Sequence, residues 1–327
     1  MSCTLVTGSS GFIGSAICEA LNARGVPVVG FDRIPPAFPD AEWAQKMTFV
    51  AGEIGDASAL AELFADYPIT HVVHAAAMTP DEDFERAAPD TIMDVNITGA
   101  CRVMAAARRS RPLRIVALSS ISVYGNAFCN GEGRLDEYLS LPAPETLYGI
   151  SKWAAEQAMR RYARLEQMDL RIVRLGPVFG PWEHQSGSRT ILSPHHQIAA
   201  FARSGELCIL PRAAPANWIY SRQAARRIVD LLSAQQPAAD VFNLGGGQIT
   251  TLVDWCEELT LKIPGFRWHV DAGATNIRYG YVTDRPALDN RRIDTLSAPD
   301  AILLTRAVED YLGWLDRFSP LTQFERK

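Results

Sequence analysis

The sequence predicts an α/β fold, a doubly wound parallel sheet with a smaller C-terminal lobe, on three observations. Short apolar runs alternate with helical patterns through the first 175 residues. A glycine-rich turn joins the first run to the first helical pattern, and beyond Leu175 the texture changes to Gly, Pro and Ser. Taken in order, the expected strands are residues 3–7, 26–32, 47–50, 71–74, 113–119 and 170–175. The expected helices are 12–24, 58–64, a long one over 90–109, and 148–166. The run 240–244, followed by Gly245-Gly246-Gly247, reads as a strand returning to the sheet. The division is therefore 1–176 as a nucleotide domain, with 239–250 rejoining it, and 177–327 mostly as the lobe. A site is expected in the cleft between them, at the carboxyl ends of the strands.

Composition narrows the function classes. Apolar residues at 47% and charged residues at 21% describe an ordinary globular chain. A net charge of −5 without a basic run argues against nucleic acid as the main partner, and Arg108, Arg109 and Arg111 read as a solvated helix end. No stretch reaches the ~20 apolar residues that span a bilayer, and residues 1–7 run straight into the first motif without a charged leader. The six cysteines are scattered singly and read as reduced thiols. A cytoplasmic enzyme is expected.

Thr7-Gly8-Ser9-Ser10-Gly11-Phe12-Ile13-Gly14 follows the first strand and opens the first helix. In that context Gly8 permits the tight turn, Gly11 lets backbone amides approach a pyrophosphate, and Gly14 lets helix and strand pack closely, as in a Rossmann-type dinucleotide site. Ser10, Phe12 and Ile13 fall in the same turn. Asp32 ends the second strand eighteen residues after Gly14. A carboxylate there accepts hydrogen bonds from the adenosine ribose and repels a 2′-phosphate, so NAD is favoured over NADP, although Arg33 follows at once.

Tyr148-Gly149-Ile150-Ser151-Lys152 places a phenol and an ammonium at i and i+4 on one helical face. A free tyrosine, with a pKa near 10, is a poor base at neutral pH, and a neighbouring cation makes its phenolate usable. Of four lysines in the chain, only Lys152 has a tyrosine four residues before it. The fifth strand ends Leu118-Ser119-Ser120-Ile121-Ser122-Val123-Tyr124-Gly125. A hydroxyl there points into the cleft, within reach of a substrate alcohol, while the other serines cap the strand end.

With these motifs in order and at consistent spacing, the sequence resembles the extended short-chain dehydrogenases/reductases, the NAD-dependent epimerase/dehydratase family. The matches include Gly52-Glu53-Ile54, Val73-His74-Ala75-Ala76-Ala77, Asn96-Ile97-Thr98-Gly99 and Arg174 to Pro181. The resemblance implies hydride transfer between nicotinamide and a substrate carbon, with Ser120 as the catalytic hydroxyl and Tyr148 moving the proton. It implies that Glu53 and Ile54 border the adenine, that Ala75, Ala76 and Ala77 line the cofactor, and that Asn96 and Ser119 help hold it. Lys152 also serves the cofactor, and Leu175 and Gly176 offer backbone contacts to the nicotinamide. A homodimer built from the helices over 90–109 and 148–166 follows from the same resemblance, with Ala105, Ala106, Ala107, Ala154, Ala155 and Ala158 suited either to that contact or to packing on the protein's own sheet.

The departures bear on substrate. Family dehydratases carry Asp-Glu where this chain has Ile121 and Ser122, so sugar dehydration is not expected. Nucleotide-sugar enzymes of the family carry asparagine at the position of Pro177 and Arg-Asp at Ala216-Asn217. Both departures count against a nucleotide diphosphate unless arginines such as Arg189, Arg212, Arg278, Arg285 or Arg292 compensate. Thr79, Ser122, Pro177, His184, His196 and Arg285 are the candidate substrate contacts. Trp182, Trp218 and Tyr220 suit either a sugar ring or the lobe core, His74 reads as structural, and no metal is expected from the histidine spacing. Three functions remain: an NAD-dependent dehydrogenase of a sugar, sugar acid or similar polyol; a nucleotide-sugar 4-epimerase; and a non-catalytic dinucleotide-binding scaffold, which the intact Tyr148, Lys152 and Ser120 disfavour.

Overall fold

All five residues of β1 (Cys3–Thr7) are buried, as a strand covered on both faces requires. The computed structural model describes residues 2–189, 191–235, 240–279, 284–299 and 302–318. Its strands continue with β2 (Val28–Asp32), β3 (Thr48–Ala51), β4 (Ile69–His74), β5 (Arg114–Ser120), β6 (Leu170–Leu175), β7 (Val178–Phe179), β8 (Cys208–Leu210), β9 (Ile219–Tyr220), β10 (Val241–Leu244) and β11 (Trp268–Val270). Seven of these form one parallel sheet in the order β10-β6-β5-β4-β1-β2-β3. The order switches direction at β1, between β2 and β4, which is where such sheets open a crevice at their carboxyl ends.

The two faces follow from the period-two alternation of a strand. Leu5, Val72, Ile115 and Ile172 face one layer with helices Ala57–Asp66, Gly99–Ser110 and Leu147–Glu166. Their neighbours Val6, Val73, Val116 and Val173 face the other, with helices Phe12–Ala23 and Ser221–Ser233. Each such side chain, fully buried, contributes roughly 1.5–3 kcal/mol. Helix starts carry their own signals. Asp56 accepts from the amides of Ser58 and Ala59, Thr146 from that of Gly149, and Thr251 and Asp254 form a reciprocal capping box.

Element identity agrees with the sequence expectation, and most boundaries shift by one or two residues. The returning strand is there as β10, paired with β6 through Val241 to Leu244. The long helix expected over 90–109 is broken. It runs as Pro89–Met93, a π-helical turn Asp94–Thr98, and Gly99–Ser110. The turn buries Asn96, whose side-chain oxygen accepts from the Met78 amide at 2.8 Å and whose nitrogen donates to Met78 O and Ser151 Oγ. An uninterrupted 3.6-residue pattern gave no warning of it.

The remaining strands pair as β8 with β11 and β7 with β9, beside helices Pro194–Ser204, Leu252–Lys262 and Leu304–Phe318. This region is held by aromatic edges. Phe38, Trp182, Trp314 and Phe318 meet at centroid distances of 5.1–6.0 Å. Trp182, Trp218 and Tyr220 are all buried in the core. Among the described residues no helix is long and apolar enough to cross a membrane.

Candidate functional site

At the carboxyl end of β1 the chain turns on Gly8, whose φ of 70° lies in the left-handed region. A Cβ on Gly14 would sit 1.9 Å from Gly8 O, so the first helix can press against the turn only because Gly14 has no side chain. Asp32 then locks the turn. Its carboxylate accepts from the Ser10 amide at 3.0 Å and from the Arg33 amide at 2.7 Å. Burial raises the Asp32 carboxyl above its ordinary value, against the pull of those two amides. A cleft opens over this floor. Gly8, Ser10 and Gly11 line it, with Asp32, Arg33, Glu53, Ile54 and the backbone run Ala75, Ala76, Ala77. The sequence reading placed all of these against the cofactor. Phe12 lies under the guanidinium of Arg189 at 5.3 Å. Ile13 packs toward the core and does not line the cleft.

The opposite wall was missed. His184, Ser186, Gly187 and Ser188 form it, so His184, expected at the substrate, lines the same cleft as the glycine turn. Ser188 O accepts from the Thr79 amide at 2.8 Å, which ties this segment across the opening and gives Thr79 a backbone task. A Gly/Ser-rich stretch reads as a generic loop in the sequence.

Tyr148 lies in the first turn of the Leu147–Glu166 helix, half-buried. Its backbone amide donates to Glu85 at 3.2 Å, and its carbonyl accepts from Ser151 Oγ. The helix start abuts the end of β5: a Cβ on Gly149 would fall 2.5 Å from Ser122 O. That contact brings the phenol's turn to Ser120, whose Oγ accepts from the Ser122 amide at 3.1 Å. Arg285 reaches Ser122 Oγ at 3.4 Å. Lys152, one turn beyond Tyr148, is only 6% exposed. Burial lowers its ammonium to about 8, with Glu156 pulling the other way. Burial likewise pushes His74, held 2.8 Å from Thr7 Oγ1, down to about 3, and Lys152 adds to this. His74 is thus a neutral structural group.

Behind the helix a buried ionic network fixes these groups. Glu156 and Arg174 pair at 2.8 Å with both side chains 2% exposed. Ser119 Oγ donates to Glu156 at 2.5 Å, and Arg174 donates to Tyr124 OH at 3.0 Å, which in turn donates to Asn243. Removing one member of such a pair costs about 3–5 kcal/mol because the other charge is left buried alone.

Six further residues of the expected site have structural partners of their own. Ser119 turns its hydroxyl to Glu156, away from the cleft, because alternate residues of a strand face opposite sides. Asn96 has its amide engaged with Met78 and Ser151. It borders a small internal cavity with Lys152 and Glu156, and it positions the site without lining the cofactor cleft. The Gly176 amide donates to Leu244 O at 2.9 Å, while Leu175 pairs with Ser120 and Leu244. Both are in the sheet ladder, outside the cleft lining. His196 is buried against Tyr311 OH at 2.7 Å, far from solvent, and Pro177 O accepts from the Ile219 amide.

Comparison with known proteins agrees with this geometry. The family model described as "NAD dependent epimerase/dehydratase family" matches residues 4–245. UDP-glucuronate 4-epimerase 6 of Arabidopsis thaliana is 33% identical over 187 residues, 54% of this chain. That match spans 40% of the relative's own length, and the same holds to within a few per cent for the other plant enzymes of this name. A dTDP-L-rhamnose 4-epimerase of Burkholderia thailandensis is 27% identical over 76% of this chain and 78% of its own. In structure, the UDP-glucuronic acid 4-epimerase of Bacillus cereus in complex with UDP-glucuronic acid and NAD superposes with a TM-score of 0.78 at 22% identity, covering 97% of this chain and all of that one. The family match over residues 4–245, most of the chain, spans the glycine turn and the Tyr148–Lys152 helix just described and leaves one conclusion: this chain belongs to the NAD dependent epimerase/dehydratase family.

Proposed function

We propose that the cleft holds NAD and that the protein oxidises and re-reduces a secondary alcohol of a sugar, an epimerase-type cycle with Tyr148 as the acid/base. The observation that carries this reading is the packing of the Tyr148 turn onto the Ser120–Ser122 strand end, with the buried Lys152 one turn behind. The residues fit the cofactor. Gly8, Ser10 and Gly11 would hold its diphosphate, Asp32 its adenosine ribose, Glu53 and Ile54 its adenine, and Ala75 to Ala77 its middle. When bound, NAD supplies the means of taking a hydride from the alcohol and returning it. Ser120 orients the reacting oxygen, Tyr148 removes or restores its proton, and the Lys152 charge stabilises the phenolate. The lobe over 177–327, apart from 239–250, would close over the sugar.

A second reading, net dehydrogenation of a free sugar or sugar acid, is favoured by Pro177 and Ala216. Pro177 has no side-chain donor, and Ala216 is a buried backbone partner of Thr250. Neither would meet a diphosphate, whereas Arg285 beside Ser122 suits a sugar carboxylate. The deciding experiment is a panel of free aldoses, aldonates and uronates beside UDP- and dTDP-sugars, following NADH absorbance and, by NMR, the sugar configuration. Inversion without net NADH supports the epimerase, stoichiometric NADH from a free acid supports the second reading, and neither from any sugar overturns both.

Homodimerisation through helices Gly99–Ser110 and Leu147–Glu166 belongs to the same proposal. Ala106, Ala107 and Ala155 are buried in the protein's own core, but Ala105, Ala154, Ala158 and Leu165 remain exposed or half-buried. A monomer mass by light scattering at micromolar concentration would refute it.

A further inference from the structure

The first turn of a helix leaves main-chain amides without an acceptor inside the helix. The helix that carries Tyr148 and Lys152 fills that need from two places. Thr146 accepts from the Gly149 amide through its side chain and from the Ile150 amide through its carbonyl. No acidic residue lies in this first turn. The acceptor for the Tyr148 amide comes instead from 63 residues earlier in the chain: the Glu85 carboxylate, at 3.2 Å.

Glu85 is itself held in place. It lies, half-buried, in the short helix Glu82–Ala87. Asp81 caps that helix by accepting from the Phe84 amide at 2.9 Å, and Asp81 O accepts from the Glu85 amide at 2.9 Å. The chain entering it is pinned where Met78 exchanges two hydrogen bonds with Asn96 and where the Thr79 amide donates to Ser188 O. Arg86, the cation of the short helix, is engaged on the exposed side by Glu82 and Asp83 at 3.0 and 2.9 Å. Among the described residues Glu85 enters no ion pair, which leaves its carboxylate to the Tyr148 amide.

This contact matters because of where it falls. Lys152 sits a full turn inside the helix, whereas Tyr148 sits in the turn that frays most readily. The packing of Gly149 on Ser122 O limits how closely the turn can approach the strand end but does not stop it pivoting. A displacement of about 1 Å at a reacting group can cost roughly 100-fold in rate. The geometry points to Glu85 as a positioning residue for Tyr148: by accepting from its amide, Glu85 fixes the turn that bears the phenol against the Ser120–Ser122 strand end. This rests on the reading of Tyr148 as the acid/base.

The main test needs no substrate. Protein labelled with ¹⁵N in the backbone and ¹³C at the tyrosine Cζ is loaded with NAD and followed by NMR, the ring signal missing from Tyr148→Phe serving as reporter. Glu85→Ala should speed hydrogen exchange of the Tyr148 amide by roughly tenfold or more and displace or broaden the reporter signal. Glu85→Gln, which keeps an acceptor oxygen and discards the charge, should restore both. Glu82→Ala, which cuts an ion pair of the same short helix, should move neither. Unchanged exchange with an unmoved ring signal in Glu85→Ala overturns the proposal. So does a Glu85→Gln that behaves like Glu85→Ala, or a Glu82→Ala that matches it, since charge or the short helix as a whole would then be responsible. A Tyr148 amide that exchanges as freely in the unmodified protein as in an unstructured peptide overturns it without any variant. With a UDP-sugar or free uronate that the protein turns over, Glu85→Ala should lower kcat roughly 10- to 100-fold and leave KM within about threefold; a loss confined to KM overturns the assignment. If the protein does not bind NAD, or if Tyr148→Phe keeps its turnover, the proposed function falls, while exchange and ring signals of the NAD-free protein still decide whether Glu85 holds the turn.

Discussion

The two parts of the proposed site are made of different material. Around the glycine turn the walls are backbone: Gly8 φ, the amides of Ser10 and Arg33 on Asp32, and the run Ala75 to Ala77. Around the reacting end they are side chains delivered from distant stretches: Ser120 from β5, Tyr148 and Lys152 from a helix, Arg285 from near the C-terminus. A backbone wall recognises what every dinucleotide shares and tolerates no added atom. A side-chain wall is adjustable residue by residue, and its chemistry depends on neighbours that hold each group in place. In the proposed function the first part grips and the second reacts, so the contrast also separates affinity from turnover.

The sharpest way to test that separation is Tyr148→Phe. Turnover should fall by about 10²- to 10⁴-fold, while NAD affinity measured by titration stays within about threefold, the size of a minor lost contact. Comparable losses in both would mean that the two ends are not independent. Gly14→Ala should do the reverse. Its methyl would strike Gly8 O, a backbone atom that cannot rotate away, so the helix must back off from the turn at a cost of about 3 kcal/mol. We expect a lowered melting temperature and a loss of NAD binding in calorimetry. Unchanged binding would show the turn to be less rigid than its contacts. Asp32→Ala should have a smaller effect, narrowing the preference for NAD over NADP by about tenfold, the worth of one or two ribose hydrogen bonds. Equal affinities already in the unmodified protein would remove Asp32 from the ribose.

A pH-dependent effect concerns Lys152, the buried cation of the proposed reacting end. Folded, its ammonium titrates at about 8; unfolded, at its ordinary value of 10.5. Between those values the unfolded chain binds more protons, so this group adds stability as pH rises from about 8 toward 10.5 and penalises the fold below about 8. Chemical denaturation of the NAD-free protein, compared with Lys152→Met, should show this relative gain of the unmodified protein across that window. Parallel curves would mean that the lysine is not desolvated.

The backbone-built end was legible in the sequence because its requirements are local. Gly8, Gly11, Gly14 and Asp32 lie within one β-α-β unit, where glycine spacing and a strand-end carboxylate have a direct structural meaning. Tyr148 and Lys152 were legible for the same reason, one helical turn being enough to relate them. What escaped depended on contacts between residues far apart in the chain. Glu156 meets Arg174 and Ser119 only after the helix has packed on the sheet. The wall from His184 to Ser188 acquires its place from Thr79, more than a hundred residues earlier. Ser119 and Ser120 were both plausible at the cleft from composition, and only the pleat of β5 decides between them. His196 needed Tyr311 to be seen as a core residue.

The π turn Asp94–Thr98 sets a condition on inheritance. It holds one residue more than a regular helix would, and that extra residue is why Asn96 faces Met78 and Ser151 while Gly99–Ser110 still packs on the sheet. Loss of a single codon there would restore an ordinary helix and rotate everything on one side of the deletion by about 100°. Either Asn96 would swing away from Met78 and Ser151 or the next helix would present the wrong face to β4. In this segment, then, substitutions can be accepted one by one, while a one-residue deletion would damage the active site and the core together.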